Sequence, residues 1–331
     1  MALKMFRAYR IHESGKFGAG RFDSMPVADL DVGNVVVRMA YASVNYKDAL
    51  TARGRAKIVL KFPLVAGIDL AGTVEESADA RFKPGDEVIV HSFGLGVDHD
   101  GGYAEFGRFP AEWVIPLPSG LTLFEASALG VAGHTAAVAV DLMELNGLAP
   151  QKGKVLVNGA TGGVASVAID ILAGRGYHVV AMSGKAEQAD YLRGLGAMEV
   201  VGRNEFRDSG RPLESPLWAG ALDSVGGAQM SWLARSMQKD GVIASFGNAA
   251  GAEFAGNVLP FILRGVRLLG TNVNNPIERK KALWARLAGD LKPRHLARIA
   301  RKIRFTELEQ ACDDLLAARV AGRMVVDFSL R

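Results

Sequence analysis

The apolar positions of this chain change rhythm along its length. Val155, Leu156 and Val157 form a short apolar run of the kind a buried strand makes, and a glycine-rich turn follows at 158–163. Val164, Val167, Ala168, Ile171 and Leu172 then recur at helical spacing until Gly174 and Gly176 stop the pattern. The run 177–182 predicts the next strand, and 200–202 a third. Further on, 221–227, 241–247 and 266–273 each pair a short apolar run with glycine or a polar residue at its end. A capping box, Thr122 with Glu125, opens this half of the chain. Helices and strands alternate from there to about residue 302, which predicts an open parallel sheet with ligands at its converging strand ends.

Before residue 122 the rhythm differs. Segments at 8–11, 34–44, 62–75, 82–90 and 101–106 read as short strands and their turns, punctuated by glycine and proline, the texture of a small, mainly β, barrel-like domain. The stretch 45–50 predicts a short helix capped by Asn45. The basic run from Lys292 to Arg304 has Leu296, Ile299, Ala300 and Ile303 at helical spacing. It predicts an amphipathic helix with a solvated basic face and gives no argument for nucleic acid.

The central turn carries the chemistry. Glycines between a strand and a helix let the backbone approach a pyrophosphate, which rests on the open N–H groups of the helix start. The pattern Gly159-x-x-Gly162-Gly163-x-Ala165 departs from strict GxGxxG, so an ordinary strand-to-helix turn is the competing reading, and the strand behind the turn weighs against it. That second strand runs into Ser183, Gly184 and Lys185 with no acid to accept from a ribose 2′-OH. A hydroxyl and a lysine, with Arg203 after the third strand, attract a 2′-phosphate instead. The expectation is NADPH, against a solvated Lys185 with Glu187 nearby.

Composition narrows the class. Of 331 residues, 49% are hydrophobic and 22% charged, as in a soluble globular protein of one large or two ordinary domains. The formal net charge of +4 is too small to argue for nucleic acid. Cys312, the one cysteine, excludes an intramolecular disulfide, and its acidic helical setting disfavours a reactive thiolate. The N-terminal residues lack the apolar run of a signal peptide, and no uninterrupted apolar stretch reaches bilayer length, so a cytoplasmic protein is expected. His91 and His99 are expected in loops, and with His134 they lack metal-ligand spacing.

Taken together, a barrel-like first domain, the Gly-Ala-Thr-Gly-Gly-Val-Ala turn at 159–165 and a return segment ending at 321–326 resemble the medium-chain dehydrogenase/reductase superfamily over essentially the whole chain. Segments 43–50, 62–63 with 67–74, 211–213, 218–226 and 260–268 resemble its bacterial acryloyl-CoA reductase branch. The resemblance implies an α/β fold in which a Rossmann doubly wound parallel sheet, 126–302, joins a GroES-like, partly open barrel, 1–125 plus 303–331. It also implies NADPH-dependent reduction of acryloyl-CoA to propionyl-CoA by a cytoplasmic homodimer, with no membrane or nucleic-acid partner. Two alternatives stay open: a quinone or enone reductase of the same fold, and a non-catalytic NADPH-binding protein.

Site residues follow from the resemblance by position. Zinc-dependent cousins carry a Cys and a Gly-His-Glu where this chain has Asn45 and Gly67-Ile68-Asp69, so no metal is expected. Tyr46 is the leading candidate to touch the cofactor or to donate to the developing thioester enolate, with Asn45 and Asp48 as catalytic neighbours and Asp48 as a brace. The cofactor is expected at Tyr46, Thr135, Gly159, Thr161, Gly162, Gly163, Val164, Ser183, Gly184, Lys185, Arg203, Phe246, Gly247, Asn272, Val273 and Arg323. Arg53, Arg55 and Lys57, with Lys61, are candidate cations for the phosphates of CoA, or else a solvated loop.

Overall fold

The alternating half of the chain forms one parallel sheet. In the computed structural model, which describes residues 5–205 and 209–330, six strands of this sheet run in the order Glu199–Gly202, His178–Ser183, Lys154–Val157, Trp218–Asp223, Met237–Ser245 and Arg267–Gly270. Every neighbouring pair is parallel. The chain leaves the central strand toward one edge, then returns and builds toward the other. This doubly wound order opens a crevice where the direction reverses, at the C-terminal end of Lys154–Val157. Val155, Leu156 and Val157 are buried because helices cover both faces of such a sheet. The helix Gly163–Gly174 buries Val167, Ala168, Ile171 and Leu172.

This sheet belongs to one of two compact units, Ala132–Val273 with Gly289–Ile299. The other comprises Met1–Val131, Asn274–Ala288 and Ala300–Arg331. Its larger sheet runs Ala300–Arg304, Arg323–Asp327, Val35–Ser43, Asp69–Ser77, Glu87–His91 and Ile115–Pro116, with Phe106–Phe109 also on Val35–Ser43. The pairings are antiparallel except that of Ala300–Arg304 with Arg323–Asp327. A smaller sheet joins Ala19–Pro26, Met5–His12 and Leu64–Val65. Tyr9, Ile11, Ala42, Leu64, Tyr103, Phe305 and Met324 fill one core, and Val35, Val37, Leu70, Val88 and Phe109 another.

Two expectations are corrected. The basic run is helical only over Leu296–Ile299, and Ala300–Arg304 is a strand. In the strand Ala300 and Ile303 face opposite sides and both are buried, so their helical spacing is misleading and pairing with Arg323–Asp327 decides the geometry. Two of its cations meet acids: Lys302 lies 2.9 Å from Asp327, and Arg304 3.2 Å from Glu307. His91 is no loop residue; it ends the strand Glu87–His91, fully buried, and its Nε2 accepts from the Trp284 indole at 2.9 Å. The helix Leu123–Leu145, its apolar run interrupted by Glu125, His134, Asp141 and Glu144, is long and apolar enough to cross a membrane by length and composition alone. It is mostly buried in the protein, as a core helix is.

Candidate active site

In the sheet unit the strand Lys154–Val157 ends at Asn158, and the turn begins with Gly159 at φ +56°. A Cβ there would lie 2.2 Å from Ser224 Oγ, so only glycine fits. The Gly162 N–H closes the turn on the Gly159 carbonyl at 2.8 Å, and Gly162 caps the helix Gly163–Gly174 without a side-chain hydrogen bond. The first N–H groups of that helix therefore stand ready for an anion. Asn158 locks the neighbouring strand end: its Nδ2 donates to Asp223 Oδ1 at 2.6 Å, and its Oδ1 accepts from the Ser224 N–H at 2.7 Å. Gly247 also crowds this point, since a Cβ there would meet the Ser224 carbonyl at 2.4 Å.

The next strand ends as the sequence reading expects. Ser183 pairs with Gly202, which brings Lys185 and Arg203 to the rim of one cavity of about 290 Å³. Ser183 Oγ accepts from the Lys185 N–H at 3.0 Å. Arg203 lies over Gly184, where a Cβ would come within 3.2 Å of its guanidinium. Partial burial lowers the Lys185 ammonium from its usual range, and Glu187 opposes that. Thr161 and Thr135 are buried, Phe246 and Val273 half-buried and Asn272 exposed.

The other unit holds a second cluster. Antiparallel pairing of Val35–Ser43 with Asp69–Ser77 on one side and Arg323–Asp327 on the other brings the ends Ser43, Asp69 and Arg323 together. Asp69 accepts from the Ser43 N–H at 2.9 Å, Ser43 Oγ at 2.6 Å, Asn45 Nδ2 at 3.1 Å and the Val131 N–H at 2.9 Å. Arg323 donates to Ser43 Oγ at 2.6 Å, Asn45 Oδ1 at 3.0 Å and the Ala128 carbonyl at 3.0 Å. Asp48 accepts from the Asn45 N–H and Nδ2, both at 3.0 Å, and from the Ile68 N–H at 3.1 Å. Burial, then the charge of Asp69, pushes the Asp48 carboxyl up to about 7. Burial also raises the Tyr103 phenol, which hydrogen-bonds the Ser43 carbonyl at 3.0 Å.

Asn45, Asp48 and Arg323 are thus brought together, each less than a tenth exposed, whereas Tyr46 opens the helix Tyr46–Ala52 with 53% of its surface free. Arg53 grips Asp313 through two bonds of 2.7 and 2.8 Å, and Lys61 meets Asp31 at 2.5 Å. Arg55 and Lys57 are exposed. Ser43, Tyr103, Gly130, Val131 and Asn158 were not singled out in the sequence. They come from distant parts of the chain, and no single motif joins them, although Ser43 and Asn158 lie within segments the sequence singles out.

The signature of the alcohol dehydrogenase GroES-like domain matches residues 31–119, and that of zinc-binding dehydrogenases matches residues 163–289. The acrylyl-CoA reductase AcuI of Ruegeria pomeroyi is 44% identical over 95% of this chain and 96% of its own length. The chain is a medium-chain dehydrogenase/reductase. YhfP of Bacillus subtilis, whose name assigns it provisionally to the quinone oxidoreductases, is 43% identical over 97% of this chain and 98% of its own. Its crystal structure with NAD bound superposes with a TM-score of 0.95 over 98% of this chain and all of that one. The yhdH oxidoreductase of Salmonella enterica, solved with NADP, is 39% identical, with a TM-score of 0.94 over 97% of this chain and 99% of that one.

The second signature implies zinc, which needs three N or S ligands and an open position. The residues of this medium-chain dehydrogenase/reductase do not fit it. Asp69 is saturated by four donors, Asn45 by Arg323 and two carboxylates, and a guanidinium already supplies the positive charge. Cys312 is buried in the helix Leu308–Leu316, its thiol pushed up to about 12 by desolvation. Among the described residues no group of three His, Cys, Asp or Glu side chains is placed to hold a metal. A dinucleotide, by contrast, fits the turn at Gly159–Gly163, where a left-handed glycine and an uncapped helix start leave the backbone open.

Proposed function

We propose that this oxidoreductase reduces the C=C bond of acryloyl-CoA to give propionyl-CoA, using NADPH. The observation that carries the reading is the 44% identity to AcuI over nearly the full length of both chains. The acid-free strand end at Ser183, with Lys185 and Arg203 around one cavity, supports the phosphorylated dinucleotide. NADPH supplies a hydride for the electron-poor Cβ. Gly159, Thr161, Gly162, Gly163 and Val164 hold the pyrophosphate, and Ser183, Gly184, Lys185 and Arg203 the 2′-phosphate. Thr135, Phe246, Gly247, Asn272 and Val273 line the remainder of the cofactor.

As Cβ is reduced, negative charge collects on the thioester oxygen, and Cα then takes a proton. Tyr46 is the side chain we assign to that oxygen, because its hydroxyl lies on an exposed residue beside a buried, fixed turn. A donor so aimed contributes on the order of 10²–10³ in rate. Asn45 and Asp48 support it from below. Arg53 is committed to Asp313, which leaves the exposed Arg55 and Lys57 for the phosphates of CoA. The chain pairs with a second copy through the exposed edge strand Arg267–Gly270, beside which Val258, Ile262 and Leu263 stand more than half exposed.

A second reading, quinone reduction, is favoured by the kinship to YhfP and needs no CoA site. Loss of 340 nm absorbance decides between them when NADPH or NADH is paired in turn with acryloyl-CoA, crotonyl-CoA and a quinone. Fast NADPH oxidation on acryloyl-CoA is the expected result. Turnover of the quinone alone would overturn the substrate assignment, and equal rates with NADH would overturn the role of Lys185 and Arg203.

A further inference from the structure

We propose that Arg323 is the built-in cation of this active site, a positioning residue that holds the Asn45–Tyr46 turn by hydrogen bonds in place of a bound metal ion. The inference rests on the reductase reading but on no particular substrate. Arg323 begins the strand Arg323–Asp327 and is 4% exposed. A guanidinium this deep is tolerated only where it is paired and hydrogen-bonded. Here it donates to three acceptors on two segments: the Ala128 carbonyl, and Asn45 Oδ1 and Ser43 Oγ of the turn at 43–45. Ser43 Oγ passes the interaction on to the Asp69 carboxylate at 2.6 Å. Burial lowers the guanidinium from its ordinary value, while Asp69, Tyr103 and Asp48 hold it up.

Two features show that the surroundings are shaped to this cation. Gly130 interrupts its helix at φ 48°, ψ −148°. A Cβ there would lie 2.5 Å from Asp69 Oδ2, 2.8 Å from Ser43 Oγ and 3.1 Å from Arg323 Nη2. The Asn45 amide, in turn, has one possible orientation. Its oxygen accepts from Arg323, and its nitrogen donates to Asp48 Oδ2 at 3.0 Å and Asp69 Oδ2 at 3.1 Å. Asn45 is the residue from which the Tyr46–Ala52 helix starts, so fixing its amide and its N–H fixes the backbone that presents Tyr46. A lysine supplies one point charge and cannot span three acceptors in a planar fork.

The test uses the full-length protein with Arg323→Lys and Arg323→Ala, assayed on whichever substrate the wild type reduces. Quinone-only turnover of the wild type would end the acryloyl-CoA reading without touching this one. Both variants are expected to bind NADPH within about twofold of wild type, by fluorescence of the bound nucleotide, and to lose about 100-fold in kcat with little change in KM. Millimolar guanidinium should restore about a tenth of the lost rate and part of the melting temperature of Arg323→Ala, whereas equimolar urea should restore neither. If Arg323→Ala does not fold, the kcat and KM of Arg323→Lys decide. Near-wild-type kcat in Arg323→Lys would overturn the proposal, as would NADPH affinity falling in step with rate. So would one tightly held zinc per wild-type chain whose removal abolishes turnover.

Discussion

Gly159 and Gly130 solve the same steric problem in two different regions, and they sit in very different sequence contexts. Each has a positive φ, and at each a Cβ would press on a polar atom, Ser224 Oγ at 2.2 Å for one and Asp69 Oδ2 at 2.5 Å for the other. Around Gly159 the backbone does the work: three turn glycines and a helix start leave open N–H groups, with no side-chain cap, where an anion fits. Around Gly130 side chains do it: two carboxylates, an amide, a hydroxyl and a guanidinium are drawn from the ends of three strands, a helix start and a kink. A backbone site is local and leaves a motif. A side-chain site is assembled by the fold and leaves none.

The largest effect is expected from Gly130→Ala. The left-handed backbone and the collision with Asp69 and Ser43 act together, and the cluster has no slack because Arg323 lies behind it. Destabilisation of at least about 3 kcal/mol is expected, read as a fall in the denaturant midpoint. A variant as stable as the wild type would mean that the cluster rearranges freely. Gly159→Ala comes next and should act on binding more than on folding, weakening NADPH by about 100-fold in a fluorescence titration. Adding Ser224→Gly removes the atom in the way and should recover part of that loss, with the backbone strain remaining. No recovery would show that φ alone, not the close approach, demands glycine.

The same contrast governs what could be read from the amino acids. The parallel sheet, its glycine turn and the acid-free second strand were legible because each is a contiguous run of residue types with one physical explanation. That Ser183, Lys185 and Arg203 would lie near one another was legible for the same reason: adjacent parallel strands end side by side. The polar cluster was legible only in part. Asn45, Asp48 and Arg323 were named, but the partners that explain them, Ser43, Asp69, Tyr103 and the Gly130–Val131 kink, lie up to 280 residues apart in the chain. Strand pairing decides such neighbours, as it also decided that Ala300–Arg304 is a strand despite helical spacing.

Asp48→Asn probes the cost of building with buried charge. The Asp48 carboxyl is raised from 3.8 to about 7, so between those values the folded protein binds more protons than the unfolded chain. Stability from this group is therefore full below pH 4, falls as pH rises toward 7, and is flat above. The asparagine removes that slope while keeping the shape. Relative to wild type, it should gain on the order of 2 kcal/mol between pH 5 and pH 8, on top of a constant cost of about 1 kcal/mol for a hydrogen bond lost to the Asn45 or Ile68 N–H. Parallel melting-temperature profiles for the two proteins would show that the Asp48 carboxyl stays ionised in the fold.

The smallest effect is expected where side chains supplement the backbone site. Lys185 and Arg203 line a cavity open to solvent. Each alanine substitution should cost about tenfold in NADPH affinity, since an exposed charge-assisted contact contributes roughly 1.4 kcal/mol at low salt. The effect should shrink as ionic strength rises. NADH lacks the 2′-phosphate and should bind all three proteins alike, so the ratio of the two dissociation constants isolates the contact from any change in stability. If Lys185→Ala and Arg203→Ala weaken NADH as much as NADPH, the two cations shape the strand end without reading the phosphate. Discrimination between the cofactors would then belong to the glycine turn and Ser183, and the backbone site would be doing the reading as well as the holding.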